Sequence, residues 1–494
     1  MDIRQIRSSI GSVRESELPI VPLVTQGQQN LERGKGQCLH RVSEVGKEKG
    51  DCEMLVTPEK IRELQRKLYR KAKQEKEFRF YALYDKVYRA DILSHAYNLV
   101  RNNKGTSGID GLTFEGIEEG IGVKRYLEVI AEGLRDKSYK SMPVRRVYIP
   151  KADGSKRPLG IPTIRDRIVQ MAAKIVIEPI FEADFQENSY GFRPKKEAHQ
   201  AMDDISFHLR TGKTQVIDAD ITKYFDSIPH DKLLKLVAKR VVDKNILRLI
   251  KMWLKAPVLE EAEDGKKRYK GNDRGSPQGG VISPLLANIY LNVLDKIWKI
   301  KKVEEELGAR LIRYADDFVV LCKGNTERVL MGIGNVLEYL ELRLNEEKTK
   351  VVDARREGFG FLGFSIEMKK SPKTKKDFPL IRPTKKSIRR IKAEIKGLTC
   401  RDKLCLPKEV VVYNLNVKVR GWTNYFYYGH CSNDLSKLKR YLEERLRTFL
   451  RNKHRVKNRG YEKFSYKYLH DNLRLYKIPT TAPWTQTVNA YGRR

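Results

Sequence analysis

Cysteine is scarce in this chain. Six cysteines stand among 494 residues, at positions 38, 52, 322, 400, 405 and 431, and no two have C-x-x-C spacing. A zinc ribbon or zinc finger is therefore not expected, and so sparse a use of cysteine fits a reducing compartment. No stretch of 18 uncharged apolar residues occurs, so no transmembrane helix is expected. The first twenty residues include Asp2, Glu15 and Glu17 and lack an apolar segment, which is unlike a secretory signal and makes a poor transit peptide. Acidic residues are also in deficit: 63 Asp and Glu oppose 99 Lys and Arg, a net charge of +36. Such an excess repels itself in a compact state, and a large polyanion relieves it. Nucleic acid is the first candidate partner and an anionic membrane surface the second.

What is present organises the chain into several parts. A length of 494 residues exceeds one compact core. Residues 1–55 are polar and weakly periodic and read as a variable, loosely ordered extension. Residues 57–100 read as helical, with Thr57-Pro58-Glu59 as the start. From 101 to 370 short β-branched runs alternate with helical patterns such as Asp166–Glu178 and Asp231–Leu254, which are read as amphipathic. This texture predicts an α+β fold with a mostly antiparallel sheet and helices on one side. From 369 to 396 there are 12 Lys or Arg against two acids, Asp377 and Glu394. Residues 407–450 read as helical, and the end of the chain is basic and aromatic.

Two acidic stretches carry chemistry. In Arg313-Tyr-Ala-Asp-Asp-Phe-Val-Val-Leu321 apolar strands flank adjacent carboxylates. A tight hairpin would set Asp316 and Asp317 at its tip, where a divalent cation would offset their repulsion. An ordinary polar turn is the alternative. In Val216-Ile-Asp-Ala-Asp-Ile-Thr-Lys-Tyr-Phe-Asp226, Asp218 and Asp220 share one face of a strand, with Asp220 at its end. Asp220, Asp316 and Asp317 together suit a two-metal site for phosphoryl transfer. For Asp218 and Asp226 local hydrogen bonding is the better reading.

The tetrad Tyr314-Ala315-Asp316-Asp317 resembles the signature of reverse transcriptases. It stands in order with Lys104–Gly111, Lys151–Thr163, Ser189–Pro194, Arg274–Pro284, Leu344–Lys350 and Gly360–Phe364. Together these resemble the reverse transcriptase/maturase proteins encoded by group II introns, from about residue 57 onward. The resemblance implies a right-hand polymerase: fingers and palm over 56–370, a helical thumb or maturase domain over 371–455, and a basic DNA-binding tail over 456–494. It implies two Mg²⁺ ions held at Asp220, Ile221, Asp316 and Asp317. Lys151 and Arg157 match residues that clasp the incoming triphosphate, which a guanidinium fork suits. Phe225 matches the aromatic that excludes a ribose 2′-hydroxyl, though core packing is an alternative. Gln278, in a glycine-rich loop, would meet sugar or base. Lys348 would lie near the triphosphate unless it is an exposed loop lysine.

In the C-terminal third, Val417–Tyr428 interleaves aromatics with cations, the composition with which structured RNA and single strands are held. Lys385, Lys386, Arg389, Arg390, Arg420 and Trp422 are the candidate RNA-binding residues; core packing would claim about half of such rings. The implied partners are an intron RNA template, a DNA primer or target, and deoxynucleotides, without a membrane. The implied setting is a bacterial cytoplasm, near the nucleoid. Many relatives continue into a Cys- and His-bearing endonuclease; that metal-ligand spacing is missing here, so no second-strand nuclease is expected. Two other readings stay open: a non-catalytic splicing maturase, against which the intact acids argue, and a host-recruited reverse transcriptase in defence or repair.

Overall fold

The computed structural model describes residues 55–103, 105–150, 156–261 and 267–481. The extension over 1–54 lies outside them. Numbered in chain order, the strands are β1 (Val144–Pro150), β2 (Lys156–Ile161), β3 (Gln215–Ala219), β4 (Val258–Glu261), β5 (Lys267–Lys270), β6 (Arg310–Tyr314), β7 (Asp317–Cys322), β8 (Lys350–Asp353), β9 (Phe359–Phe361), β10 (Phe364–Lys370) and β11 (Asp377–Pro383). They form three sheets, ordered β2-β1-β4-β5, β6-β7-β3-β8 and β11-β10-β9. Every pairing is antiparallel except the short contact of β1 with β4. The middle sheet falls where the resemblance puts the palm, the first where it puts the fingers, and the helices Lys385–Leu398, Lys408–Phe426 and Ser432–Lys453 where it puts the thumb, and they are called so below.

Strand alternation explains how the palm sheet is buried. Ile217, Ala219, Leu311, Phe318, Val320 and Cys322 enter a large helical core. Their neighbours Val216, Ile312, Tyr314, Val319 and Leu321 enter a second core with helix Ala198–Arg210 and strands β9 to β11. The palm is thus covered on both faces, where the sequence suggested helices on one side. Sequence periodicity reports that a strand face is apolar but not what covers it.

Helix Ile164–Glu182 departs from its expected amphipathic character. Almost every residue from Ile164 to Phe181 is buried, including Asp166, Arg167, Gln170, Lys174 and Glu178. Its polar residues are absorbed as internal ties. Tyr139 donates to Asp166 at 2.7 Å, and the Gln170 amide oxygen accepts from the Val281 N–H at 2.9 Å. The helical stretch expected over 57–100 is three helices, Glu59–Gln74, Tyr84–Val87 and Ala90–Asn102. The first is closed from elsewhere in the chain: buried Arg240 donates to the Ala72 carbonyl at 2.8 Å and to those of Glu75 and Lys76.

The thumb has its own core, in which Ile391, Leu415, Leu435, Leu442 and Phe449 meet Phe464, Leu469 and Ile478. The boundary expected at 370 falls inside the β10–β11 hairpin, and the helical unit begins at Lys385. The segment expected as a separate tail from 456 packs into the thumb as far as Ile478. None of the described helices is long and apolar enough to cross a membrane.

The burial of Gln170 has a measurable consequence. Gln170→Ala strands the Val281 N–H in the interior and should lower unfolding stability by about 1–3 kcal/mol. On an exposed helix face the same change would stay within about 0.5 kcal/mol. Urea unfolding of the two proteins distinguishes these outcomes.

Candidate active site

Strands β6 and β7 are joined by two residues, with Tyr314 paired to Asp317 across the ladder. So short a turn asks for a left-handed backbone at its first position, and Ala315 adopts it with φ 61°. This sets Asp316 in the turn and Asp317 at the start of β7. On the adjacent strand the register pairs Ala219 with Phe318. One step further brings Asp220 level with Asp317, so the two acidic stretches meet at one end of the palm sheet.

A buried network holds the hairpin from below. Arg313 and Asp295 are both fully buried, and Arg313 Nη2 donates to Asp295 Oδ2 at 2.6 Å. Arg313 Nη1 donates to Asn288 Oδ1 at 2.6 Å and to the Ala315 carbonyl at 2.9 Å. Asn288 donates in turn to the Gly191 carbonyl at 3.1 Å, and Asn188 to Asp295 at 3.0 Å. Gly191 lies flat against the turn: a Cβ there would overlap the Ala315 amide and come within 2.7 Å of the Tyr314 carbonyl carbon. The Ser189–Pro194 motif therefore backs the acidic hairpin.

The carboxylates are crowded. Surrounding protein raises the Asp316 carboxyl above its ordinary value. Asp317 reaches solvent, yet the protein mass around it, then the charges of Asp316, Asp220 and Asp218, push it up to about 7. Asp218 rises to about 6 from burial first and Asp220 second. It thus belongs to the same electrostatic cluster, although its sequence context favoured local hydrogen bonding. The signal was its two-residue spacing from Asp220. Asp226 is also raised by burial, and Arg146 and Lys223 act against that.

Cations reach the cluster from two sides. The segment after helix Thr326–Tyr339 runs along the end of β3, where Thr222 N–H donates to Arg343 and Asn345 N–H to the Asp220 carbonyl at 2.7 Å. This carries Lys348 to Asp220, Nζ to Oδ2 at 3.0 Å. From the fingers, the charge of Arg157 on β2 lowers the pKa of both Asp316 and Asp317. Ile221 is buried and bridges to Leu344. Lys151 and Lys104 lie outside the described residues.

The glycine-rich loop closes the site. Gly275 has φ 86°, and a Cβ there would sit 2.7 Å from the Phe225 carbonyl, which accepts from the Ser276 N–H at 2.7 Å. On its other side the Gln278 carbonyl accepts from the Gly160 N–H of β2 at 2.6 Å. The loop therefore ties Phe225 and Gln278 to the Arg157 strand. Phe225 is half-buried and packed against the large helical core.

A divalent ion fits the chemistry of this donor set. Crowded hard oxygens that raise one another's pKa values are relieved by such an ion. Among the described residues no three His, Cys, Asp or Glu side chains converge into a ready-made cage. Magnesium needs only one or two carboxylates when water and substrate phosphate complete its shell.

Away from the acids, Lys385, Lys386, Arg389 and Arg390 are exposed on the first two turns of helix Lys385–Leu398, whose cap is Thr384. Cations at a helix N-terminus oppose the macrodipole, so helix stability does not account for them. Arg390 reaches Glu394 at 3.3 Å. Arg420 lies over the Tyr476 ring, 5.4 Å from its centroid. Trp422 is half-buried against Phe426, 4.6 Å between centroids, and touches both the palm-side and thumb cores.

The chain is similar to known proteins over two spans. Residues 149–366 match the family described as reverse transcriptase (RNA-dependent DNA polymerase), and residues 388–468 match the group II intron maturase-specific domain. Protein YkfC of Escherichia coli is 35% identical over 348 residues, covering 63% of this chain and 89% of that protein. The group II intron-encoded protein LtrA of Lactococcus lactis is 32% identical over 59% of this chain, a match spanning 57% of LtrA. A telomerase structure from Candida albicans covers 72% of this chain and 71% of its own at 12% identity, with TM-score 0.38.

The network beneath the hairpin yields a stability test. Asp295→Asn leaves the Arg313 charge buried and uncompensated and should cost about 3–5 kcal/mol. Replacing both by apolar residues, Arg313→Met with Asp295→Leu, should recover only part of that loss in urea unfolding, because the Asn188 amide, Asn288 Oδ1 and the Ala315 carbonyl then lose their partners. A loss within about 0.5 kcal/mol for Asp295→Asn would mean that the pair does not hold the hairpin.

Proposed function

Because the chain belongs to the group II intron reverse transcriptase/maturase family, we propose that it copies its own intron RNA into DNA at the Asp220–Asp316–Asp317 site and promotes splicing of that RNA through its thumb. The observation that carries this reading is the convergence of the two acidic strand ends, with Lys348 on Asp220 and Arg157 acting on the hairpin acids.

Asp220, Asp316 and Asp317, with Ile221 beside them, are the residues that would hold two magnesium ions. When bound, these ions would supply activation of the primer 3′-hydroxyl and charge neutralisation at the leaving pyrophosphate. Arg157 and Lys348 place positive charge where the triphosphate must lie, and Lys151 belongs to the same fingers hairpin in sequence. Phe225 stands beside the glycine-rich loop, a position from which a ring blocks a ribose 2′-hydroxyl. Gln278 offers an amide to the sugar or base of the incoming nucleotide. The buried Arg313 network keeps the hairpin from moving as charge enters above it, which is preorganisation of the kind that lowers a phosphoryl-transfer barrier.

Lys385, Lys386, Arg389, Arg390 and Arg420 form the surface proposed to meet intron RNA, with Trp422 packed beneath it. Splicing help requires only that the protein bind the active RNA fold better than its competitors, and the palm acids have no part in that.

The two activities should therefore separate. Asp316→Ala should lower primer extension on an RNA template by at least about a hundredfold while RNA binding and intron splicing at low Mg²⁺ persist. Neutralising Lys385, Lys386, Arg389 and Arg390 should do the reverse, sparing extension on a short primed template. A folded Asp316→Ala protein that binds RNA yet gives no splicing help would refute the division.

Phe225→Ala should admit ribonucleotides. Discrimination between a ribonucleotide and its deoxy counterpart should fall roughly 10–200-fold, the scale on which a pocket wall rejects one small group. An unchanged incorporation ratio would reduce Phe225 to packing.

A further inference from the structure

The basic run over 369–396 is continuous in sequence but divided in space. Seven of its cations follow Pro379, mostly on the thumb helix, and five lysines cluster at the tip of the β10–β11 hairpin. Of those five, Lys369 pairs with Glu367 at 3.1 Å. Lys370, Lys373, Lys375 and Lys376 are exposed, and Asp377, opposite Lys370 in the ladder, is the only acid from Lys370 to Asp377.

This tip is a built structure. Ser371 N–H donates to the Lys376 carbonyl and Lys375 N–H to the Ser371 carbonyl, both at 2.9 Å, and Thr374 N–H donates to Ser371 Oγ at 3.2 Å. Lys375 holds φ 57°, a left-handed position that glycine or asparagine would occupy with less strain. Four like charges on one hydrogen-bonded turn raise the energy of the free protein, and a polyanion lowers it.

The root of the hairpin lies near the acids. Tyr425 donates to the Leu362 carbonyl at 3.0 Å, and with Phe361 and Phe364 it shares one core with Tyr314, the ladder partner of Asp317. From there the hairpin runs toward the opposite end of the palm sheet: Met368 N–H donates to Ala354, and Ala354 N–H to Thr214, just before β3. Strand β10 has seven residues, about 23 Å at the usual rise. Duplex DNA advances about 3.4 Å per base pair and the A-form RNA–DNA hybrid somewhat less, so that length corresponds to at least about seven base pairs.

We propose that Lys370, Lys373, Lys375 and Lys376 grip the phosphate backbone of the primer–template duplex at least about seven base pairs behind the site of synthesis. The inference rests on the polymerase reading above, because only a duplex end seated at the acids fixes that distance. It gives the hairpin a role in retaining the growing product, separate from the thumb surface assigned to intron RNA.

Stem–loop substrates test it, each an RNA template folded back onto a covalently joined DNA primer, so that short stems do not dissociate. Stems of about five and about sixteen base pairs lie on either side of the proposed contact. The variant carries Lys370→Gln, Lys373→Gln, Lys375→Asn and Lys376→Gln; a second carries arginine at all four positions. The neutral variant should bind the long stem roughly tenfold more weakly, with a salt dependence shallower by about 2–3 in log–log slope. It should bind the short stem and add one nucleotide to it as the parent does, and the arginine variant should behave as the parent on both. Equal losses on both stems, no loss on either, or a loss confined to folded intron RNA would overturn the proposal. Binding is read without chemistry, so failure of the parent to extend either stem would count against the polymerase reading alone.

Discussion

A buried guanidinium is the constraint on which the site depends. Arg313 has no exposure to water, so its charge requires a buried partner, which Asp295 supplies. The remaining donors must be satisfied as well, and they are, by Asn288 and by the carbonyl of the turn that carries Asp316. A half-satisfied network of this kind is worse than none. Its members come from three places in the chain, the loop at Asn188, the helix Ser283–Ile300 that carries both Asn288 and Asp295, and β6 with Arg313, so the palm must assemble as a unit before the hairpin has a floor. Gly191 is part of the same requirement, since only a residue without a side chain lets that segment lie against the turn.

Above this floor the charge is arranged the opposite way. The charge of Asp220 helps to raise the proton affinity of Asp218, Asp316 and Asp317, while Arg157 acts against this on the hairpin acids and Lys348 pairs with Asp220 at the rim. The protein thus neutralises the charge it buries and leaves unbalanced the charge it presents. Such an arrangement costs stability in the free protein and becomes favourable when cations and phosphate arrive together. The same holds with reversed sign for the lysines of the β10–β11 tip and the first turns of the thumb helix, where anions are the missing partner.

The fingers contribute through backbone more than through side chains. Gly160 on β2 and Gly275 in the glycine-rich loop permit contacts that any Cβ would prevent. These contacts lock the strand bearing Arg157 to the loop bearing Gln278 and to the turn bearing Phe225. Gln170, from a helix that reads as half-exposed, fastens the far side of that loop. The residues proposed to face the nucleotide are therefore held by one connected backbone frame, which sets their spacing.

The sequence alone determined the α+β character and the polymerase family, and it singled out Asp220, Asp316 and Asp317 as candidates, because these depend on local pattern. Strands alternate with period two, paired carboxylates between apolar runs are costly without a cation, and seven motifs in order leave little room for another arrangement. It could not reveal that helix Ile164–Glu182 is buried all round, that the palm is covered on both faces, or that Asp218 joins the acidic cluster. Nor could it reveal that Arg313, next to the most legible motif in the chain, is the residue beneath it. Each of these depends on what lies opposite a residue in space, from partners such as Asp295 or Asn288 that no local pattern marks. The basic run from 369 to 396 shows the limit most directly: its charge is written in the sequence, but its division into a hairpin tip and a helix face follows from the turn at Ser371–Lys376 and from the pairing of β10 with β11, which only the folded chain decides.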